Sequence, residues 1–262
     1  MKITLVTISF NQANFIRETI ESVLNQAYKN YEYIIVDGGS NDGSRDIISS
    51  YKKKISQIIF EKDFGPADAL NKGFKIATGE IYGFLNSDDL LLPSALTEVN
   101  NFFCENPNID VVSGNAFIIN EHGKYKRKFF SDKYNLNFAV HGACTLVQQS
   151  TFFRSRMFLK TKGFNLNNNF SWDSELFLDM AKSGAAFANV SSFWSKFRMH
   201  PDSITVSKRY NFSEDYFAGL HKKIYGAEPG YFFILKIYIF RYLRKLFNYN
   251  NTIQRILYGP IA

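Results

Sequence analysis

The sequence predicts an α/β fold: a mostly parallel sheet with helices on both faces. Three observations predict it. Short β-rich runs alternate with segments of helical periodicity through the first half of the chain. Polar residues close one strand after another, which is where open parallel sheets bind their ligands. The 262 residues are 45% hydrophobic and 21% charged, enough apolar material for one substantial core and too little charge for a disordered chain.

The elements follow in order. Residues 3–9 (ITLVTIS) form the first strand, and residues 14–26 carry Phe15, Ile16, Ile20, Val23 and Leu24 at helical spacing. A second strand over 33–37 is stopped by Gly38 and Gly39. A helix over 42–52 places Ile47, Ile48 and Tyr51 on one side, and a strand over 55–61 follows. Pro66 opens a helix that closes near Gly79, as helix punctuation favours. Strands at 81–85 and 110–113 flank a helix at 93–105. Residues 111–119 and 125–130 bracket Asn-Glu-His-Gly, a hairpin. Residues 131–170 carry no assignable period. A helix over 172–183 ends at Gly184, and short strands are expected at 187–190 and 197–199.

The formal charge of +7 is uneven. Residues 229–262 hold Lys236, Arg241, Arg244, Lys245 and Arg255 and no acidic residue, so the first 228 residues carry 26 − 24 = +2. A nearly neutral body with a basic, aromatic tail argues against nucleic acid as a partner. It points to an anionic membrane surface instead. The tail is expected as an appendage (229–262) to one domain (1–228). Its helix, 231–247, sets Leu235, Ile239, Tyr242 and Leu246 against the basic residues, and it either lies on a membrane or packs on the domain. No apolar stretch reaches the roughly 20 residues of a spanning helix. The N-terminus has no export signal, so a cytoplasmic protein, peripheral on the inner face of the membrane, is expected. Two cysteines, Cys104 and Cys144, are expected as buried thiols in a reducing compartment.

Three strand ends supply polar clusters: Thr7, Ser9 and Asn11; then Asp37-Gly38-Gly39-Ser40; then Asn86-Ser87-Asp88-Asp89. The dinucleotide fingerprint, the P-loop and the nucleophile elbow are all absent. The adjacent carboxylates Asp88 and Asp89 suit Mg²⁺ or Mn²⁺ shared with a diphosphate, or else cap the helix beginning near Pro93.

Four segments carry a resemblance. They are TLVTISFNQANFIRETIESVLNQAYKNYEYIIVDGGSNDGS, EKDFGPADALNKGFKIATGEIYGFLNSDDLLLP, FNLNNNFSWDSELFLDMAKSG and FRMHPDSIT, spanning most of residues 3–205. They resemble the family 2 glycosyltransferases, which have the nucleotide-sugar-binding GT-A fold. The resemblance implies inverting transfer of one sugar from a nucleotide-diphosphate donor, by default a UDP-sugar, to a hydroxyl of a glycan or lipid-linked acceptor. Cell-surface polysaccharide synthesis is the expected setting.

The resemblance also assigns residues. Thr7, Ser9 and Asn11 match the first-strand turn that contacts the nucleotide. Asp37 matches the acid that holds the base, and Asp68 and Lys72 match a helix beside base and ribose. Asn86-Ser87-Asp88 stands where the family has Asp-x-Asp, which leaves a Mn²⁺ or Mg²⁺ cofactor to Asp88, with Asp89 a supporting partner or a cap. Asp173 takes the place of the general base, where the family has Glu-Asp and this chain has Trp172-Asp173. Arg198 and His200, in F-R-M-H, match an R-x-H segment near the diphosphate, with His200 a further metal ligand or phosphate contact. Trp172 either stacks on an acceptor sugar or belongs to the core. Gln148, Gln149 and Thr151 resemble an acceptor-side segment. The processive Q-x-x-R-W signature is missing. The alternatives are a sugar-nucleotide nucleotidyltransferase, which would need a Gly-rich loop after the first strand, and a catalytically inactive nucleotide-sugar-binding module.

Overall fold

The computed structural model describes residues 1–168, 171–207 and 213–259. Asn169 and Phe170 of the third segment above, and residues 260–262 of the expected appendage, lie outside it.

The first half alternates as expected: β1 (Ile3–Ser9), α1 (Ile16–Leu24), β2 (Tyr31–Asp37), α2 (Ser44–Ser50), β3 (Gln57–Phe60), α3 (Pro66–Lys75) and β4 (Ile81–Asn86). β1 pairs in parallel with β2 and β4, and β2 with β3. The pleat of β1 sends Ile3 and Leu5 to one apolar cluster and Val6 and Ile8 to another. Ile16, Ile20 and Val23 of α1 close the first cluster, and Leu70 and Phe74 of α3 close the second. Both faces of the sheet are therefore covered.

The chain continues through β5 (Leu90–Leu91), α4 (Ala95–Glu105), β6 (Val111–Asn120), β7 (Tyr125–Phe129), α5 (Leu136–Val140), β8 (Thr151–Arg154) and α6 (Ser155–Phe158). It ends with α7 (Trp172–Lys182), β9 (Phe187–Met199), α8 (Ile204–Ser207), α9 (Glu214–Tyr225), α10 (Phe233–Phe247) and α11 (Tyr249–Tyr258). One nine-stranded sheet has the order β3-β2-β1-β4-β8-β6-β9-β5, with β7 on β6. The strands of the second half are thus hydrogen-bonded into the same sheet as those of the first half.

Three differences from the sequence reading have local causes. The strand expected at 110–113 begins β6 and does not touch β4, because β8 lies between them, antiparallel to both. β8 has only four residues, TFFR, too few to show a period. The short strands expected at 187–190 and 197–199 are the two ends of the 13-residue β9, whose middle carries Ser191 and Ser192 and interrupts the apolar pattern. α9 and α11 were not anticipated. α9 does carry end signals: the Ser213 hydroxyl accepts from the Tyr216 amide, and Gly226 ends the helix at φ 73°.

The expected boundary at residue 228 falls between α9 and α10. Phe233 and Ile237 of α10 are buried with Val140, Leu178 and Phe217. No helix among the described residues is long and apolar enough to cross a membrane. Cys104 is exposed, not buried as expected, because it lies on the outer side of α4.

Candidate active site

Strand register brings the polar ends together. Ser9 pairs with Asp37 and Ile8 with Asn86, so β1, β2 and β4 end level at one rim. A cleft of about 760 Å³ opens there. Its wall includes Ser9, Gly38, Asp63, Asn86, Ser87 and Asp88 from the strand ends. Gln148, Gln149, Trp172 and Asp173 line it from the second half of the chain.

Polar atoms without partners concentrate here. Among the described residues, the Ser9 Oγ, Asn86 Oδ1, Gln149 Nε2 and Trp172 Nε1 atoms are buried and lack a hydrogen-bond partner, and all four residues line the cleft. Folded proteins rarely leave such groups unpaired, so the concentration marks a place where a polar ligand completes the bonding. Trp172 is a buried member of the second apolar cluster, and it also lines the cleft.

Asp88 is placed by the sheet. β5 pairs antiparallel with β9, Leu90 opposite Lys196, and that register carried two residues back sets Asp88 beside Arg198. The Asp88 Oδ2 atom lies 3.0 Å from His200 Nε2, and the imidazole packs on Phe15 with ring centroids 4.6 Å apart. Among the described residues no group of three or more His, Cys, Asp or Glu side chains could hold a metal. The pair nevertheless fits a small divalent cation. A carboxylate oxygen and an imidazole nitrogen are donors such an ion accepts, and it would take its other oxygens from phosphate and water; His200 itself is buried and does not line the cleft. Asp89 turns away from the cleft. It is fully buried, and its Oδ1 accepts from the Arg198 backbone amide at 2.9 Å. Burial, followed by the neighbouring Asp88 charge, raises its carboxyl well above the usual range.

Asp173 stands in the first turn of α7 and lines the cleft. Burial raises its carboxyl above the ordinary value, and hydrogen bonds at the helix start offset part of that rise.

Several expected contacts are placed away from the cleft wall. Thr7 is fully buried inside the sheet, where its hydroxyl accepts from Tyr33 Oη at 3.1 Å. Asn11, at φ 52°, stitches loops instead: its amide donates to Ser40 Oγ and its Oδ1 accepts from the Asn41 amide. The Asp37 carboxylate is saturated by the amides of Gly39 and Ser40, the Ser40 hydroxyl and Arg45 Nε at 2.7 Å. Burial opposes its ionisation, but Arg45 and Ser40 outweigh it and hold the carboxyl below its usual value. Lys72 reaches Asp68 at 3.3 Å, Glu61 at 3.6 Å and the Lys62 carbonyl, so this pair ties down the loop before α3. The cleft is lined there by Pro66 and Ala69. Arg198 is 1% exposed and does not reach the cleft. Its guanidinium donates to the Asp88 and Glu121 carbonyls and to Glu18, and lies over Phe15. Thr151 is also buried, bonded to Ser113 and the Val147 carbonyl.

The sequence reading missed Asp63, which lines the cleft. Its carboxyl presses so closely on Gly38 that a Cβ there would lie 2.0 Å from Oδ2. It accepts from the Gly65 amide, and burial raises its value. The available signal was an acid just past the third parallel strand and before a Gly-Pro helix start.

Residues 4–169 match the family described as glycosyl transferase family 2. The chain belongs to that family. It is 32% identical over 141 residues to an uncharacterized glycosyltransferase of Nostoc sp., covering 50% of this chain and 44% of that protein. It is 37% identical over 106 residues to TuaG of Bacillus subtilis, assigned by its name to teichuronic acid biosynthesis, covering 39% of this chain and 42% of that one. The chain thus spans under half the length of these two relatives. Among solved structures, residues 1–349 of Staphylococcus aureus TarS with UDP-GlcNAc superpose with a TM-score of 0.71 at 18% identity, covering 94% of this chain and 73% of that one. The mannosyltransferase PcManGT of Pyrobaculum calidifontis, with GDP-Man and Mn²⁺, gives 0.60 at 16% identity, covering 99% and 81%. The GT-A fold implied by the resemblance is the fold observed.

Proposed function

We propose that this chain is an inverting glycosyltransferase that moves one sugar from a nucleotide-diphosphate sugar to an acceptor hydroxyl. One observation carries the reading. A single strand-end cleft is lined by four residues with unpartnered polar atoms, by Asp88, whose carboxylate also meets the buried imidazole of His200, and by a separate, partly buried carboxylate, Asp173. In the reaction, the acceptor oxygen attacks the anomeric carbon and the bond to the diphosphate oxygen breaks. The hydroxyl proton passes to Asp173, and the nucleoside diphosphate leaves. Ser9, Asn86 and Ser87, which line the cleft at the strand ends, would meet the donor. Asp88 and His200 are the residues that would hold Mg²⁺ or Mn²⁺, which when bound offsets negative charge on the departing diphosphate.

A UDP-sugar is the donor expected from the resemblance, and TarS, with the same fold, was solved with UDP-GlcNAc. PcManGT was solved with GDP-Man, so the fold alone does not select the base. A glycan or lipid-linked acceptor at the inner face of a membrane, in synthesis of a cell-surface polysaccharide, completes the reading; TuaG's name supports it. The test is a screen of UDP-, GDP- and dTDP-sugars for hydrolysis and transfer with Mn²⁺, comparing the natural chain with Asp173→Asn. Turnover with one donor class, lost in the variant while donor binding persists, is expected. Turnover surviving the substitution would overturn the assignment of the base.

A further inference from the structure

The C-terminal helices pack on the domain and still leave an apolar face open. Leu235, Ile239, Tyr242 and Leu246 form an exposed stripe along α10, and Ile256 and Leu257 of α11 are exposed as well. Tyr231, just before α10, is 96% exposed. Patches of this kind mark interaction surfaces.

The charges around this face say what covers it. Two of the four α10 cations are spent on the domain: Arg244 pairs with Asp132 at 2.7 Å, and Arg241 lies over Phe217. Lys236, Lys245 and Arg255 make no ion pair among the described residues. Arg127, 2% exposed, has three guanidinium nitrogens without partners, and the nearby Arg255 charge, after burial, lowers its value. No acidic residue occurs from 229 to 262.

A second cavity, about 330 Å³, opens between α5, α9 and α10, walled by Tyr231, Phe232 and Phe233. Its ionisable lining is His141, His221, Tyr225, Tyr231 and Lys236, with no carboxylate. His141 is 4% exposed; its Nδ1 meets the Asn137 carbonyl, and its Nε2 has no partner. Burial, with His221 and Lys236 nearby, holds the His141 imidazole below its ordinary value, a repulsion that an anion between them would relieve. The ligand that fits Lys236 and two imidazoles beside exposed aromatics is an anion carrying apolar chains. A symmetric contact between two copies fits less well, because it would set like charges against each other.

We infer that the exposed face of α10 and α11 seats on an anionic phospholipid surface, with a headgroup phosphate entering the cavity lined by His141, His221 and Lys236. This deepens the membrane part of the reading above and needs nothing of the cleft's chemistry, so vesicle binding and sugar transfer can fail separately.

The experiment is co-sedimentation of the full chain with phosphatidylglycerol vesicles and with phosphatidylcholine vesicles, alone and with inorganic phosphate. The variants are Leu235→Glu/Tyr242→Glu and Lys236→Glu, with light scattering for mass and circular dichroism for folding. Expected are binding to the anionic vesicles at least tenfold above the zwitterionic ones, weakening with salt, and partial displacement by millimolar phosphate. Both variants should lose that binding at least tenfold while remaining folded and monomeric. Equal binding to both vesicle types, binding to neither, full binding by the double variant, or phosphate binding without vesicle binding would overturn the inference. So would a natural dimer that the double variant dissociates, since a second copy would then cover the face.

Discussion

Asp88 Oδ2 and His200 Nε2 meet at 3.0 Å across 112 residues of sequence, brought together by the pairing of β5 with β9. A carboxylate on the cleft wall and the buried imidazole it touches would make a two-ligand site that a diphosphate completes. Asp88→Ala should therefore weaken UDP binding in the presence of Mn²⁺ by at least tenfold, read by titration calorimetry. EDTA should weaken the natural chain similarly and leave the variant unchanged. If EDTA does nothing to the natural chain, the pair holds no cation.

Asp173→Asn removes the proposed proton acceptor while keeping its shape. A general base contributes roughly 10²–10⁴ in rate, so kcat should fall by that factor with little change in donor affinity. Because burial disfavours the ionised form of Asp173, the same substitution should raise Tm. For a domain of this size each 1 kcal/mol reads as roughly 2–4 °C. Loss of rate together with loss of stability would instead indicate a structural role.

The same burial sets a pH dependence. Asp173 must be deprotonated to act, and its carboxyl lies above the ordinary aspartate value. Activity should therefore fall on acidification at a pH above the usual carboxylate range. For stability the sign is opposite: the folded chain holds this proton more tightly than the unfolded one, so acidification through the raised value relieves the buried charge. A rate profile of kcat against pH checks the first point. An acid limb at the unshifted aspartate value would contradict it.

Gly38→Ala tests Asp63. The new methyl would lie 2.0 Å from Asp63 Oδ2, and the end of that side chain can swing away. Stability should change by about 1 kcal/mol or less, near the low end of overpacking costs. Donor affinity should drop several-fold because a wall residue has moved. Unchanged affinity would show that Asp63 does not meet the donor.

Arg198→Met should act on folding first. Its guanidinium joins the Asp88 and Glu121 carbonyls to Glu18, and the substitution leaves those acceptors without their charged donor. A loss of roughly 3 kcal/mol is expected in denaturant titration, moderated because Glu18 itself is largely solvated. A variant with unchanged stability but weakened donor binding would return Arg198 to the diphosphate.

The strand ends were legible because a parallel sheet puts every strand's carboxyl end at one rim, so Ser9 and Asn86 could be placed without coordinates. What could not be read was direction and depth. Thr7 shares a pleat parity with Ser9, yet one more step into the sheet encloses it against Tyr33. Asp37 closes its strand as expected, but its own loop, through Ser40 and Arg45, uses up its oxygens. Asp63 follows a four-residue edge strand and lies in the second matched segment, but no role was carried onto it. Arg198 and His200, two residues apart, are both buried and both bonded to Asp88, because Glu18 and Phe15, some 180 residues earlier in the chain, pack against them.

Side chains of α11 clasp the backbone at the end of β7. Gln254 accepts from the Lys128 amide, and Asn251 accepts from the amide and donates to the carbonyl of Phe130. Between these two gripped residues stands Phe129, whose ring forms part of the cleft wall. Shortening the chain before α10 would therefore be a poor control for lipid contact, since it would unmoor a wall of the cleft along with the proposed lipid-facing helices. If α10 and α11 seat on a bilayer as proposed, force on them would pass through these hydrogen bonds to the cleft wall.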